Sequence, residues 1–228
     1  LDVEHFEEAR RLVMEFRDHI GMFKVGKQLF THCGPKIVDF INMKNSKVFL
    51  DLKYHDIPNT VAKAVIEAVK IGVDMLNVHA SGGLTMMQEA RAALYNEAKK
   101  NRLQRPKIIG VTVLTSIDNQ ELKKMGIEVD AHQLTKNLTL LTKEAGLDGV
   151  VASGEDIEMI REMCGAEFLI VTPGVRIQER KDDQKRVVTP FDAIRRGATY
   201  IVLGRTIMDS KDPKALLERA YEDIKSAL

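Results

Sequence analysis

The sequence predicts an α/β fold, a single-domain (β/α)8 TIM barrel spanning residues 1–228, and three observations carry that prediction. Short apolar runs of strand character alternate with amphipathic helical patterns along the whole chain, and strict alternation of this kind requires parallel strands. The units number eight when Leu1-Asp2 is read as the surviving end of a truncated N-terminal strand, and eight units suit a closed barrel. The competitor, an open doubly wound sheet, would carry a G-x-G-x-x-G turn after its first strand, and none is present. No linker, low-complexity tract or second core interrupts the pattern.

The elements follow in order. Phe6, Ala9, Leu12, Val13 and Phe16 recur at helical intervals up to Arg17. A short strand, 22–26, holds Lys24 in its middle, and a helix opened by Gly34-Pro35 runs to Met43. The strand at 48–52 is the centre of the chain, an apolar run ending in three charges, Asp51, Lys53 and Asp56. Pro58 is excluded from a central strand but suits the first turn of a helix. That helix, 59–72, carries Val61, Val65, Ala68 and Val69 on one face and stops at Gly72. Beyond it come a strand at 75–80 and a helix at 84–99, with Met86, Met87, Ala90, Ala93 and Leu94 facing inward. A strand at 107–114 leads to a helical connection in two parts, 115–126 and 130–146. The last units are strands at 149–152, 168–172 and 200–203, with helices at 155–163, 190–196 and 213–227.

Composition narrows the function classes. With 34 basic and 33 acidic side chains the formal net charge is +1, which favours neither a nucleic-acid nor a membrane surface. No apolar stretch approaches a membrane span, and there is no signal-peptide pattern. Cys33 and Cys164 lie far apart without C-x-x-C spacing, so a zinc site or disulfide framework is not expected. Two reduced thiols in a cytoplasmic protein are the expectation. The absence of Trp weighs against an RNA binder built on aromatic platforms.

A barrel brings its C-terminal strand ends to one face, so those ends are where chemistry is sought. They give Asp2, Lys24, Asp51 with Lys53, His79, Thr115, Ser153, the Pro173-Gly174-Val175-Arg176 run and Gly204-Arg205. Residues two apart on a strand face one side, so Asp51 and Lys53 project together and keep each other charged. The loops after the last two strands read T-P-G-V-R and L-G-R. Gly174 and Gly204 permit close backbone approach, and Arg176 and Arg205 offer planar donors matched to phosphate. A phosphorylated small substrate follows, and the polar stretch 177–186 is placed to act as a lid. Blander readings stand beside these. His79 suits a hydrogen-bonded core histidine, Ser153 a helix cap, and Cys33 and Met86-Met87 ordinary packing.

Five segments resemble one family. F-K-V-G at 23–26, L-D-L-K-Y-H-D-I-P-N-T at 50–60, N-V-H-A at 77–80, V-T-P-G-V-R at 171–176 and V-L-G-R at 202–205 are similar to the bacterial orotidine 5′-phosphate decarboxylases. The resemblance implies decarboxylation of orotidine 5′-monophosphate to UMP without metal or organic cofactor. Lys53 would stabilise the C6 carbanion and protonate it, with Asp51 near the departing carboxylate. Lys24, Asp51, Lys53 and Asp56 would form an alternating charge array, with Asp56 entering the partner's site of a homodimer together with Ile57 and Thr60. Asp2 and Lys24 would meet the ribose hydroxyls, Thr115 the pyrimidine, and Arg205 the phosphate, and Gln184 would bridge phosphate and base. Two rivals remain. One is a Mg2+-dependent sugar-phosphate lyase or decarboxylase of the hexulose-phosphate synthase kind, whose cation Lys24 would oppose. The other is a non-catalytic phosphate-binding barrel, which has no need of Asp51 beside Lys53.

Overall fold

The computed structural model describes residues 1–177 and 188–228, and of Arg205 the backbone alone. The chain divides into two compact units: Leu1–Ile109 with Glu144–Leu147, and Gly110–Lys143 with Asp148–Leu228.

The first unit opens with α1 (Phe6–Phe16), whose buried Ala9, Leu12, Val13 and Phe16 recur at the period of one helical face. Then come β1 (Phe23–Gly26), α2 (Lys27–Cys33), α3 (Lys36–Met43), β2 (Val48–Tyr54), α4 (Pro58–Lys70), β3 (Met75–His79), a 3-10 turn at Ala80–Gly82 and α5 (Leu84–Asn101). β4 (Lys107–Val111) carries the chain onward. β1, β2 and β3 pair in sequence order and in parallel. Their apolar residues, among them Val25, Val48, Leu50, Leu76 and Val78, are fully buried. As Pro58 predicts, α4 has its proline in the first turn, and it packs along α5.

One departure from regular pairing matters later. Leu50 pairs with Leu76 and Tyr54 with Val78, so Asp51, Leu52 and Lys53 of β2 stand against the single residue Asn77 of β3. This is a bulge, and Lys53 within it has φ +52°, in the left-handed region that side-chain-bearing residues rarely enter.

The second unit contains α6 (Asn119–Lys124), α7 (Ala131–Glu144), β5 (Gly149–Val151), α8 (Ile157–Cys164), β6 (Leu169–Thr172), α9 (Pro190–Arg195), β7 (Tyr200–Ile201), α10 (Arg205–Met208) and α11 (Pro213–Ala227). β5, β6 and β7 are again parallel in sequence order. A core of Val150, Ile157, Ile160, Ile170, Val175 and Ala193 joins these strands to α8 and α9. A capping box starts α9, where Thr189 and Asp192 exchange side-chain-to-backbone bonds across a first turn that opens with Pro190.

The sequence expectations need three adjustments. Leu1-Asp2, expected as the end of a strand, forms none. The Leu1 nitrogen donates to the Lys24 carbonyl at 2.7 Å and Lys24 Nζ to Asp2 Oδ1 at 3.3 Å, which hold this segment beside β1 without a strand ladder, and the described residues hold seven strands. The helical segment expected at 115–126 is only Asn119–Lys124, because Leu114 to Ile117 is a turn and Asp118 caps the helix behind it. Two helices, α2 and α10, were not expected: seven and four residues give periodicity too little length to register.

Candidate active site

In the first unit, β1 and β2 present their charges to one another. Lys53 Nζ lies 2.6 Å from Asp51 Oδ1, and Lys24 Nζ lies 3.2 Å from Asp51 Oδ2 and 3.3 Å from Asp2 Oδ1. The four side chains therefore alternate in sign as Asp2, Lys24, Asp51, Lys53. Lys24 sits opposite Phe49 and Asp51 opposite Gly26, so the lysine reaches along the sheet to meet the carboxylate. Gly26 leaves it room: a Cβ there would come within 3.2 Å of Asp2 Oδ1 and 3.5 Å of Lys24 Nζ.

Asp51 is the most enclosed member, with its side chain 11% exposed. Burial alone would raise its pKa. The Lys24 charge, the Lys53 hydrogen bond and charge, and a bond from Asn77 together outweigh burial and hold the carboxyl below its ordinary value. Asn77, to which the N-V-H-A segment alone assigns no role, is fully buried. Its Nδ2 donates to Asp51 Oδ1 at 2.6 Å, and its Oδ1 accepts the Lys53 backbone N–H at 2.8 Å. A polar amide inside the apolar run M-L-N-V-H was the available signal, since a buried amide in a strand requires partners.

Beside the array, His79 packs against His55 with ring centroids 5.3 Å apart and planes tilted by 39°. Burial, then the His55, Lys27 and Lys53 charges, lower the His79 pKa, which favours the neutral ring. That is closer to the half-buried core histidine than to a charged participant.

Asp56 does not join the array of its own chain. It is exposed, and its Oδ1 accepts the backbone N–H of Ile57 at 2.6 Å. Ile57, 66% exposed, is the N-cap of α4, and Thr60 lies exposed in the first turn. This short segment therefore presents a carboxylate, a large apolar side chain and a hydroxyl outward.

In the second unit, β6 runs into Pro173 and then Gly174, whose φ of +75° explains the glycine. Val175 is buried in the core and anchors the loop, while the exposed Arg176 donates its N–H to the Val188 carbonyl. After β7, the Gly204 carbonyl accepts the N–H groups of Ile207 and Met208, which starts α10 at Arg205. Thr115 is exposed in the turn that follows β4. Ser153 Oγ accepts the Glu155 N–H at 3.3 Å within the turn before α8, whose N-cap is Asp156, so Ser153 does not cap that helix. Gln184 and all but the first residue of the expected lid lie outside the described residues, as does the Arg205 side chain. No group of three or more His, Cys, Asp or Glu side chains suited to a metal ion occurs among the described residues.

Comparison with known proteins agrees with the motifs. A chain from Pelobacter propionicus named orotidine 5′-phosphate decarboxylase is 47% identical over 225 residues, 98% of this chain and 92% of its own. One of the same name from Syntrophotalea carbinolica is 46% identical over 229 residues, 100% of this chain and 94% of its own. The crystal structure of orotidine 5′-phosphate decarboxylase from Lactobacillus acidophilus superposes with a TM-score of 0.86 at 32% identity, covering 98% of this chain and 96% of that one. The α/β fold of TIM-barrel type expected from the alternation is thereby established. A sequence model of the orotidine 5′-phosphate decarboxylase / HUMPS family matches residues 1–220, and the chain belongs to that family.

Proposed function

We propose that this protein decarboxylates orotidine 5′-monophosphate to UMP and CO2, the last step of de novo pyrimidine biosynthesis, acting as a cytoplasmic homodimer. The observation that carries the reading is the array of Asp2, Lys24, Asp51 and Lys53, with one lysine ammonium 2.6 Å from a nearly buried carboxylate. The names borne by relatives of near-identical length support it.

The chemistry asks for such an array. Breaking the bond between C6 and the carboxylate leaves an electron pair on a ring carbon with no adjacent sink. An ammonium fixed beside C6 stabilises that charge and then transfers its proton to C6, giving UMP, CO2 and a neutral lysine that water reprotonates. Lys53 takes that role. Asp51, kept ionised by its two lysines, lies where the substrate carboxylate would approach, and two like charges at close range raise the energy of the bound ground state. Lys24 and Asp2 are assigned to the ribose hydroxyls, Thr115 to the pyrimidine, and Pro173, Gly174, Arg176, Gly204 and Arg205 to the phosphate. Gln184 is assigned to bridge phosphate and base. Asp56, Ile57 and Thr60, all turned outward, are assigned to the partner's site, which makes each site composite.

The Mg2+-dependent rival fits less well. A divalent cation at Asp51 would have to share it with Lys24 Nζ at 3.2 Å and Lys53 Nζ at 2.6 Å, both repelling it. One assay tests the proposal: loss of orotidine-phosphate absorbance on adding purified protein, with and without EDTA. Turnover unaffected by EDTA is expected. No turnover, or turnover abolished by EDTA and restored by Mg2+, would refute it.

A further inference from the structure

The bulge in β2 creates a local problem. Three residues of β2 face one residue of β3, so the regular ladder has no partner for the Lys53 N–H, and Lys53 adopts a left-handed backbone that costs energy for a residue with a Cβ. Conformations of this kind persist only where surrounding groups over-determine them. At this position one side chain does so. Asn77 Oδ1 takes the orphaned Lys53 N–H at 2.8 Å, replacing the missing ladder carbonyl. Asn77 Nδ2 donates at 2.6 Å to Asp51 Oδ1, the same oxygen that receives Lys53 Nζ at 2.6 Å. The amide is fully buried and stands directly across from the bulge, so its two ends have fixed orientation.

We propose that Asn77 is the positioning residue of the reaction: it holds the Lys53 backbone in its left-handed state and Asp51 Oδ1 in place, and thereby sets where the Lys53 ammonium points. This inference rests on the decarboxylase reading above. Asn77 acts through Lys53 and Asp51 and reaches no substrate itself. No other residue type serves both ends as neatly. Asp has two acceptors and no donor when ionised, Ser or Thr is too short to span both partners, and Leu leaves the Lys53 N–H and one Asp51 acceptor site unfilled.

The Asn77→Asp variant tests this through pH. An ionised carboxylate at that place would face Asp51 at the distance of the present hydrogen bond, so the pair holds a proton more tightly than isolated carboxylates do. Burial acts in the same direction. Once protonated, the new side chain regains a donor for Asp51 and a carbonyl for Lys53. Charged and titratable groups around the position are Asp51, Lys53, Tyr54 and His55 from β2 and its turn, Lys24 from β1, and His79 farther along β3; burial pushes Tyr54 up to about 12, outside the range measured. β4 contributes only Lys107, exposed at its starting end. Wild-type protein carries all of these, so dividing variant by wild-type kcat at each pH removes their titration.

The experiment measures kcat and KM for orotidine 5′-monophosphate with wild type, Asn77→Ala and Asn77→Asp from about pH 5 to 9, with circular dichroism to confirm folding. Asn77→Ala should lose on the order of 10²-fold in kcat, the scale of a misplaced reacting group, with KM within about threefold. For Asn77→Asp, the ratio of variant to wild-type kcat should climb as pH falls. Folded Asn77→Ala with kcat within about threefold of wild type would overturn the proposal. So would an Asn77→Asp ratio independent of pH, or failure of both variants to fold, which would make Asn77 a folding determinant only. Wild-type protein inactive on orotidine 5′-monophosphate would overturn the decarboxylase reading and this proposal with it.

Discussion

Replacing Asp51 by Asn removes one charge while preserving shape and an oxygen acceptor for Lys53 and Asn77. Asp51 attracts Lys53 at 2.6 Å and Lys24 at 3.2 Å. At the effective dielectric of about 20 that suits protein sites, each attraction is gross ~5–6 kcal/mol, much of it cancelled by the desolvation of the three ions. Removing one partner of a buried pair typically costs about 3–5 kcal/mol. Lys24 and Lys53 keep some water, at 19% and 24% side-chain exposure, so a smaller loss of roughly 2–3 kcal/mol is expected for Asp51→Asn at neutral pH. For a chain of this size that corresponds to a fall in Tm of about 5–10 °C. The difference should itself depend on pH. Asp51 has a folded-state pKa below its unfolded value, so its ionised form stabilises the fold fully above the unfolded carboxylate pKa near ~4. That contribution disappears as pH falls through the lower, folded-state pKa. Urea unfolding of both proteins, followed by circular dichroism from neutral pH downward, measures the gap and its closure. An Asp51→Asn protein as stable as wild type at neutral pH, or a gap that widens on acidification, would refute the idea that this carboxylate is held ionised by its lysines.

Other outcomes follow from the same geometry. Lys53→Ala should fold and lose kcat by many orders of magnitude, measured by the absorbance assay; more than a few per cent of activity in folded protein would remove Lys53 from its role. Arg205→Ala and Arg176→Ala should each mainly raise KM, with a loss of about 2–3 kcal/mol in kcat/KM for a charge-assisted contact, and an unchanged kcat/KM would take that arginine out of the phosphate site. Mixing inactive Lys53→Ala and Asp56→Ala proteins under subunit exchange should restore up to roughly a quarter of wild-type activity, because a mixed dimer holds one site with both defects and one with neither. Verified exchange without recovery would assign Asp56 to its own subunit.

The residues that were legible from the chain alone are those whose chemistry is local. An apolar run ending in charge located β2, a short run with Lys24 in its middle located β1, and Pro58 marked the start of α4 because its ring suits a first helical turn. The loops T-P-G-V-R and L-G-R announced themselves by composition, and Gly174 does adopt the positive φ that a glycine there suggests. Short elements escaped, because α2, α10 and the turn at Thr115 span too few residues for any period to show. Asp51 and Lys53 do meet, but by a route that strand periodicity does not describe. A bulge puts three residues of β2 against one of β3, and Lys53 reaches its neighbour from a left-handed backbone.

Sequence by itself determined the alternation of strand and helix, the residue types at the strand ends and therefore the kind of chemistry, since period, turn residues and charge are properties of neighbours along the chain. Only the tertiary structure decided which of those ends touch. The reach of Lys24 along β1 to Asp51, and the place of Asn77 between Asp51 and the Lys53 backbone, depend on the register of three strands whose partners lie more than twenty residues apart. A register slip leaves almost no trace in local sequence, because its energy is set by the cross-strand partner and not by the residue itself.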